Sequence, residues 1–125
     1  MSPKENHSAE TLEKIFHEPN RLAIMSTLCA ENAGLTFNEL REACNLTAGN
    51  LNRHLKVLRE ANAVEVEKEF VDEKPRTTIT LSQDGLERFS EYLAALSKVL
   101  ADAKKALPKK KTGKAGIPVR RTARA

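Results

Sequence analysis

The sequence has no tryptophan, one tyrosine and four phenylalanines among its 125 residues. Proteins that hold single-stranded nucleic acid stack its bases on aromatic rings. Ligand cages need the same rings, so both readings are weak. Cysteine is nearly as scarce, with Cys29 and Cys44 the only two. Neither forms a zinc-spaced set with His7, His17, His54 or the acids, so no metal and no cofactor is expected. A disulfide is not expected in a reducing compartment. Both thiols fall on the expected inner side of helices, where a free cysteine behaves as a small apolar group. No run approaches the ~20 apolar residues of a membrane span, and no signal peptide is visible. The chain is therefore expected in the cytoplasm, with no membrane partner. Nucleophile elbow, phosphate loop and carboxylate pair are missing, so no catalytic residue is nominated and the chain is not read as an enzyme.

What is present is concentrated between Thr36 and Leu81. Thr36 and Glu39 have the spacing of a capping box, so a helix should begin at Phe37. Phe37, Leu40 and Ala43 then face inward. Asn45 can take the left-handed conformation that ends a helix, and Thr47 can cap the next one. That second helix should run to about Ala61, with Asn62 closing it. At roughly 100° per residue, Leu51, Leu55 and Leu58 form its buried stripe. Gly49, Asn52, Arg53 and Lys56 fall on or near the opposite side, with Asn50 on a flank. His54 borders the apolar stripe and is read as a packing residue.

The exposed side matches the chemistry of the DNA major groove. Arginine pairs bidentately with guanine and asparagine with adenine. Lys56 suits a phosphate, as a point charge. Gly49 would permit close approach. Thr47, Gly49, Asn50, Asn52, Arg53 and Lys56 are therefore the candidate recognition residues.

A two-stranded hairpin should follow. Val64 and Val66 alternate with Glu65 and Glu67, and Ile79 and Leu81 with Thr78 and Thr80. Asp72-Glu73-Lys74-Pro75-Arg76 reads as the loop between them. Lys74, Arg76 and Thr77 are its candidate DNA contacts, while Asp72 and Glu73 oppose a strongly cationic tip.

The flanks frame this module. Leu12, Ile15 and Phe16 make an apolar patch on a short helix. Pro19 suits the start of the next helix, where Leu22, Met25, Leu28 and Cys29 repeat and after which Gly34 acts as a stop. Asn20 and Arg21 at its start could touch phosphates, or equally bury their stems without touching DNA. Ser82 caps a C-terminal helix over 83–107. Leu86, Phe89, Leu93, Leu96, Leu100, Ala103 and Leu107 follow at alternating spacings of three and four, a heptad seam. The helix is longer than a compact body needs, so its outer half should pair across a two-fold axis, with the N-terminal patch contributing. Leu12, Phe16, Leu93, Leu96, Leu100, Ala103 and Leu107 are the candidate dimer residues.

The net charge of +4 divides unevenly. Residues 108–125 hold Lys109, Lys110, Lys111, Lys114, Arg120, Arg121 and Arg124 and no acid, a charge of +7, so subtraction leaves −3 for the rest. One domain is expected over 9–107, between a disordered N-terminus (1–8) and a basic, disordered tail (108–125).

Thr47-Ala48-Gly49-Asn50-Leu51-Asn52-Arg53-His54-Leu55, with Leu58, Val64-Glu65-Val66-Glu67-Lys68 and Lys74-Pro75-Arg76-Thr77-Thr78, resembles the small winged-helix transcriptional regulators of the MarR-like and ArsR-like groups. The resemblance covers about residues 10 to 105. It departs at Asn62-Ala63, where such proteins more often have glycine and an apolar residue; asparagine tolerates the required backbone. The cysteine-pair motif of metal-sensing ArsR-like repressors is missing between Phe37 and Cys44.

The resemblance implies a dimeric regulator that binds specific double-stranded DNA, and occlusion of a promoter would make it a repressor. The fold expected is mainly α with a small β-hairpin (α+β), a winged helix-turn-helix with a long C-terminal dimerisation helix. No effector is indicated; one would have to bind at the dimer interface. The rival readings are a winged-helix protein-interaction module and a nonspecific chromosomal DNA-binding protein that relies on its tail.

Overall fold

The structure is a computed structural model, and it describes residues 12–108. The segments 1–8 and 109–125, expected to be disordered, lie outside the described residues. Helices α1 (Pro19–Cys29), α2 (Phe37–Ala43), α3 (Ala48–Glu60) and α4 (Gln83–Ala106) pack with strands β1 (Leu35–Thr36), β2 (Val64–Val71) and β3 (Lys74–Leu81). This is a winged helix with a long C-terminal helix.

Helix boundaries follow local chemistry. Pro19 starts α1, and the Glu18 carboxylate accepts from Arg21 N at 2.7 Å. The capping box of α2 is complete: Thr36 Oγ1 accepts from Glu39 N at 3.1 Å, and Thr36 N donates to Glu39 Oε1 at 3.0 Å. Thr47 Oγ1 caps α3 by accepting from Asn50 N at 3.1 Å. Asn45 (φ 57°) and Asn62 (φ 63°) end α2 and α3 in the left-handed conformation. After each, the next amide donates back across the last turn, Leu46 N to Arg41 O at 3.0 Å and Ala63 N to Leu58 O at 2.9 Å. Both helices thus end in Schellman motifs with asparagine in the position glycine usually takes.

The core joins all the layers. Ile24, Met25 and Leu28 of α1 meet Leu40, Leu51, Leu55, Leu58, Val64 and Ile79. Phe16, Phe89 and Tyr92 form a ring cluster with centroids 5.3 to 5.8 Å apart. Arg88 binds this cluster to its neighbours. It donates to both Glu13 oxygens (2.8 and 3.2 Å), to Asp84 Oδ2 (2.6 Å) and to the Ala61 carbonyl (2.8 Å). The end of α3 is therefore tied to α4 and to the segment before α1.

Several expectations need correction. The sheet has three antiparallel strands in the order β1-β3-β2, because Leu35 and Thr36 pair with Ile79 and Thr78. Two residues ahead of a capping box are too short a run to show alternation. The hairpin loop is shorter than expected: only Asp72 and Glu73 turn the chain, both at positive φ (54° and 65°), and Lys74, Pro75 and Arg76 belong to β3. Positive φ at both central residues suits the two-residue turn whose twist matches its strands.

The N-terminal patch is not a helix. It is a single turn among the described residues, with Phe16 N and His17 N both reaching Glu13 O. Ala43 and Cys29 are exposed rather than inward. Gly34 does not stop α1; at φ 88° it lies flat against β3, where a Cβ would stand 2.7 Å from Ile79 O.

The buried face of α4 is also rotated from the expected seam. Gly85, Phe89, Tyr92 and Ala95 are buried, and Leu96 is half-buried against the core. Leu86 (42 %), Leu93 (41 %), Leu100 (52 %) and Leu107 (61 %) remain exposed. Tyr92 lies outside the expected seam, but its ring fills the space facing Phe16 and its hydroxyl lies 2.9 Å from His17 Nδ1.

Candidate nucleic-acid interface

Helix α3 divides into two faces at helical spacing. Leu51, His54, Leu55 and Leu58 are buried. Gly49, Asn52, Arg53 and Lys56 are exposed, as is Thr47, and Asn50 is half-buried on the flank. Among the described residues nothing stands within 4 Å of where a Gly49 Cβ would be, so none of them requires glycine there. The effect of Gly49 is to leave the first turn of α3 open to a surface laid against it.

His54 anchors the helix from behind. Arg21 Nη1 lies 3.3 Å from His54 Nδ1, and Arg21 Nε donates to Ile15 O at 2.7 Å. Arginine has no acceptor, so Nδ1 accepts and the ring proton resides on Nε2. That Nε2 has no partner among the described residues. Burial holds the His54 pKa below its ordinary value of 6.5; Arg21 and Arg53 push the same way and Glu18 opposes them. Arg21 is thus engaged inside the chain rather than free for phosphate.

Between α3 and the hairpin lies an open groove of about 430 Å³. Its walls are Asn52, Leu55, Lys56 and Arg59 from α3, Val66, Lys68 and Thr77 from the hairpin, and Phe37 at its end. The fold thus brings together Asn52, Lys56 and Thr77 from the sequence reading and adds Arg59 and Lys68. Lys68 was missed because alternation alone does not say which strand face turns toward α3.

Lys74 and Arg76 are not in this groove. They line a second hollow of about 620 Å³ on the other side of β3, with Thr36, Asn38 and Asp72. Arg76 is paired across the ladder with Glu69. Among the described residues no three His, Cys, Asp or Glu side chains are grouped to hold a metal ion, and no helix is long and apolar enough to cross a membrane.

The candidate dimer residues separate into two sets. Phe16 is fully buried inside its own chain and has no surface to offer a partner, and Leu12 and Leu96 pack partly on the same core. Leu93, Leu100, Ala103 and Leu107 are exposed. With Leu86, the exposed leucines repeat every seven residues, and a straight helix drifts only ~20° per heptad. They therefore form one stripe along α4.

Residues 20–100 match the family described as a winged helix DNA-binding domain. A relative, the uncharacterized protein MJ0432 of Methanocaldococcus jannaschii, is 36% identical over 80 residues, covering 64% of this chain and 86% of its own. The transcriptional regulator homologue from Pyrococcus horikoshii OT3 superposes with a TM-score of 0.70 at 29% identity, over 76% of this chain and 94% of that one. A variant of MepR from S. aureus, solved bound to an oligodeoxyribonucleotide, has the same fold, with a TM-score of 0.60 at 16% identity over 83% of this chain and 75% of that one. With its capped α2–α3 pair, its wing and the match over residues 20–100, the chain belongs to the winged helix DNA-binding domain family.

Proposed function

We propose that the chain is a homodimeric regulator that binds specific double-stranded DNA and represses transcription by occluding promoters, in the cytoplasm. The observation that carries this is the open groove between α3 and the wing, flanked by Asn52, Lys56, Arg59 and Lys68 and, among the described residues, lined by no acid. Arg53 stands exposed on the adjacent face of α3, free to pair with a guanine edge. The body outside residues 108–125 carries −3, so attraction to phosphate has to come from this local face. The oligonucleotide held by the MepR variant is consistent with this use of the fold.

Dimerisation is supported by the leucine stripe of α4. Leu86 to Leu107 spans 21 residues, about 31 Å at ~1.5 Å per residue. An exposed apolar stripe of that length favours pairing with a second copy. A two-fold pair would present two α3 helices to half-sites about one helical turn apart.

Selection of bound sequences from a random duplex pool at near-physiological salt, with the full chain and a 1–107 truncation, tests the proposal. A shared palindromic sequence enriched by both is the expected result. Binding without enrichment, lost on truncation, would establish a nonspecific DNA coater. No binding by either would leave a protein-interaction module.

A further inference from the structure

The two faces of the hairpin carry opposite chemistry. Side chains alternate along a strand, and directly paired residues of an antiparallel ladder share a face. Val64–Leu81, Val66–Ile79, Lys68–Thr77 and Phe70–Pro75 therefore lie on one face. Glu65–Thr80, Glu67–Thr78, Glu69–Arg76 and Val71–Lys74 lie on the other. The first face is core at its base, where Val64 and Ile79 are buried. Farther out, Lys68 and Thr77 line the groove with α3. Farther still, Phe70 is 76 % exposed, the most exposed large apolar side chain among the described residues. This face holds no acid, while Glu65, Glu67 and Glu69 all stand on the other.

We propose that Phe70, backed by Pro75, is an apolar wedge that enters the minor groove flanking the half-site read by α3. The inference rests on the DNA-binding reading above. Four residues of strand beyond Val66 carry Phe70 about 13 Å past the packed part of the sheet. The major groove is about 12 Å wide, so a wing beside a helix in that groove delivers its end across the phosphate ridge. Lys68 lies along the way, where it meets the phosphates. Beyond the ridge, apolar side chains inserted at a base step unstack it and bend the duplex. The turn carboxylates of Asp72 and Glu73 repel the phosphates on either side. The Phe70 side chain carries no charge, so the wedge contributes apolar contact and adds nothing to the salt dependence. Pyrimidine–purine steps unstack most readily, so the wedge selects such steps at the flank of the site without reading a base edge.

The test uses the full chain and its Phe70→Ala and Phe70→Leu variants, each put through selection from a random duplex pool. Each is then titrated at several salt concentrations on the duplex that the unsubstituted chain selects. Phe70→Ala is expected to keep the central half-sites, lose the flanking pyrimidine–purine preference and bind about tenfold more weakly at an unchanged salt slope. Phe70→Leu should retain most of both. Because the side chain is exposed, the unfolding midpoint should not move. Unchanged flanks and affinity in Phe70→Ala would overturn the wedge and leave specific binding intact. A change confined to self-association or solubility would also overturn it, in favour of a protein contact. If the unsubstituted chain enriches no sequence, the reading of sequence-specific DNA binding itself falls, and the wedge with it.

Discussion

Arg53 and His54 are neighbours on α3 with opposite surroundings, and each supports a separate prediction. Arg53 is exposed and has no ion-pair partner among the described residues. Arg53→Ala should therefore leave the fold and the proposed dimer unchanged. It should weaken binding to the selected duplex by about 1–3 kcal/mol, the worth of a bidentate pair, read by anisotropy titration. Unchanged affinity would remove Arg53 from the readout.

His54 is buried, and burial lowers its pKa in the folded state. The unfolded chain then binds more protons than the folded one just below the ordinary histidine value of 6.5. The stability contributed by neutral His54 is fully present above that value and is lost as pH falls toward the lower folded pKa. Urea unfolding midpoints should thus drop between pH 7.5 and 5.5, and the drop should shrink in His54→Gln. An equal drop in both proteins would assign the pH dependence elsewhere.

At the scale of elements, α3, β2 and α4 join at Gly85 with no room for a side chain. A Cβ on Gly85 would collide with the Ala63 carbonyl. Glycine to alanine inside a helix ordinarily stabilises by up to about 1 kcal/mol. Here the sign should reverse, with Gly85→Ala costing about 1–3 kcal/mol through overpacking, as measured by denaturant unfolding. Arg88, which holds the Ala61 carbonyl, Asp84 and Glu13, fixes the same join from its other side. Its charged partners keep its pKa above the ordinary arginine value, with the Glu13 hydrogen bond the largest cause. Arg88→Ala should cost about 2 kcal/mol, since hydrogen bonds to charged groups are worth about 1.5–3 kcal/mol each and two of these partners are partly solvated.

Elements were legible in the sequence where a local signal determines them. Thr36, Thr47 and Ser82 mark helix starts with their side-chain oxygens, and Asn45 and Asn62 mark helix ends by taking positive φ; each stands at such an end. What local pattern cannot supply is orientation. Leu93 and Tyr92 are adjacent in α4, and either face of that helix reads as apolar. Tyr92 is inside because Phe16 meets its ring, a contact between residues far apart in the chain. For the same reason Phe16 was assigned to a surface it does not reach. The candidate site shows the same limit. The polar face of α3 followed from helical spacing, but the place of Lys68 in the groove depends on how the hairpin is set against α3.

The whole molecule couples a local recognition surface to a proposed two-fold pair. Leu100 is the better place to test the pairing than Leu96, because Leu96 also supports its own core. Leu100→Lys should convert the protein to a monomer with an unchanged unfolding midpoint at low concentration, as read by sedimentation. A second long-range influence is the charge of +7 in residues 108–125 against a body of −3. Truncation to 1–107 should flatten the dependence of affinity on salt while leaving the preferred sequence intact.

The central claim is that two α3 helices read one duplex. The most direct measurement is sedimentation equilibrium of the full chain on the duplex that it selects, at saturation. The account predicts two chains on each duplex, with half-site centres about 10 base pairs apart. A single chain bound at saturation, on a sequence without internal symmetry, would contradict it.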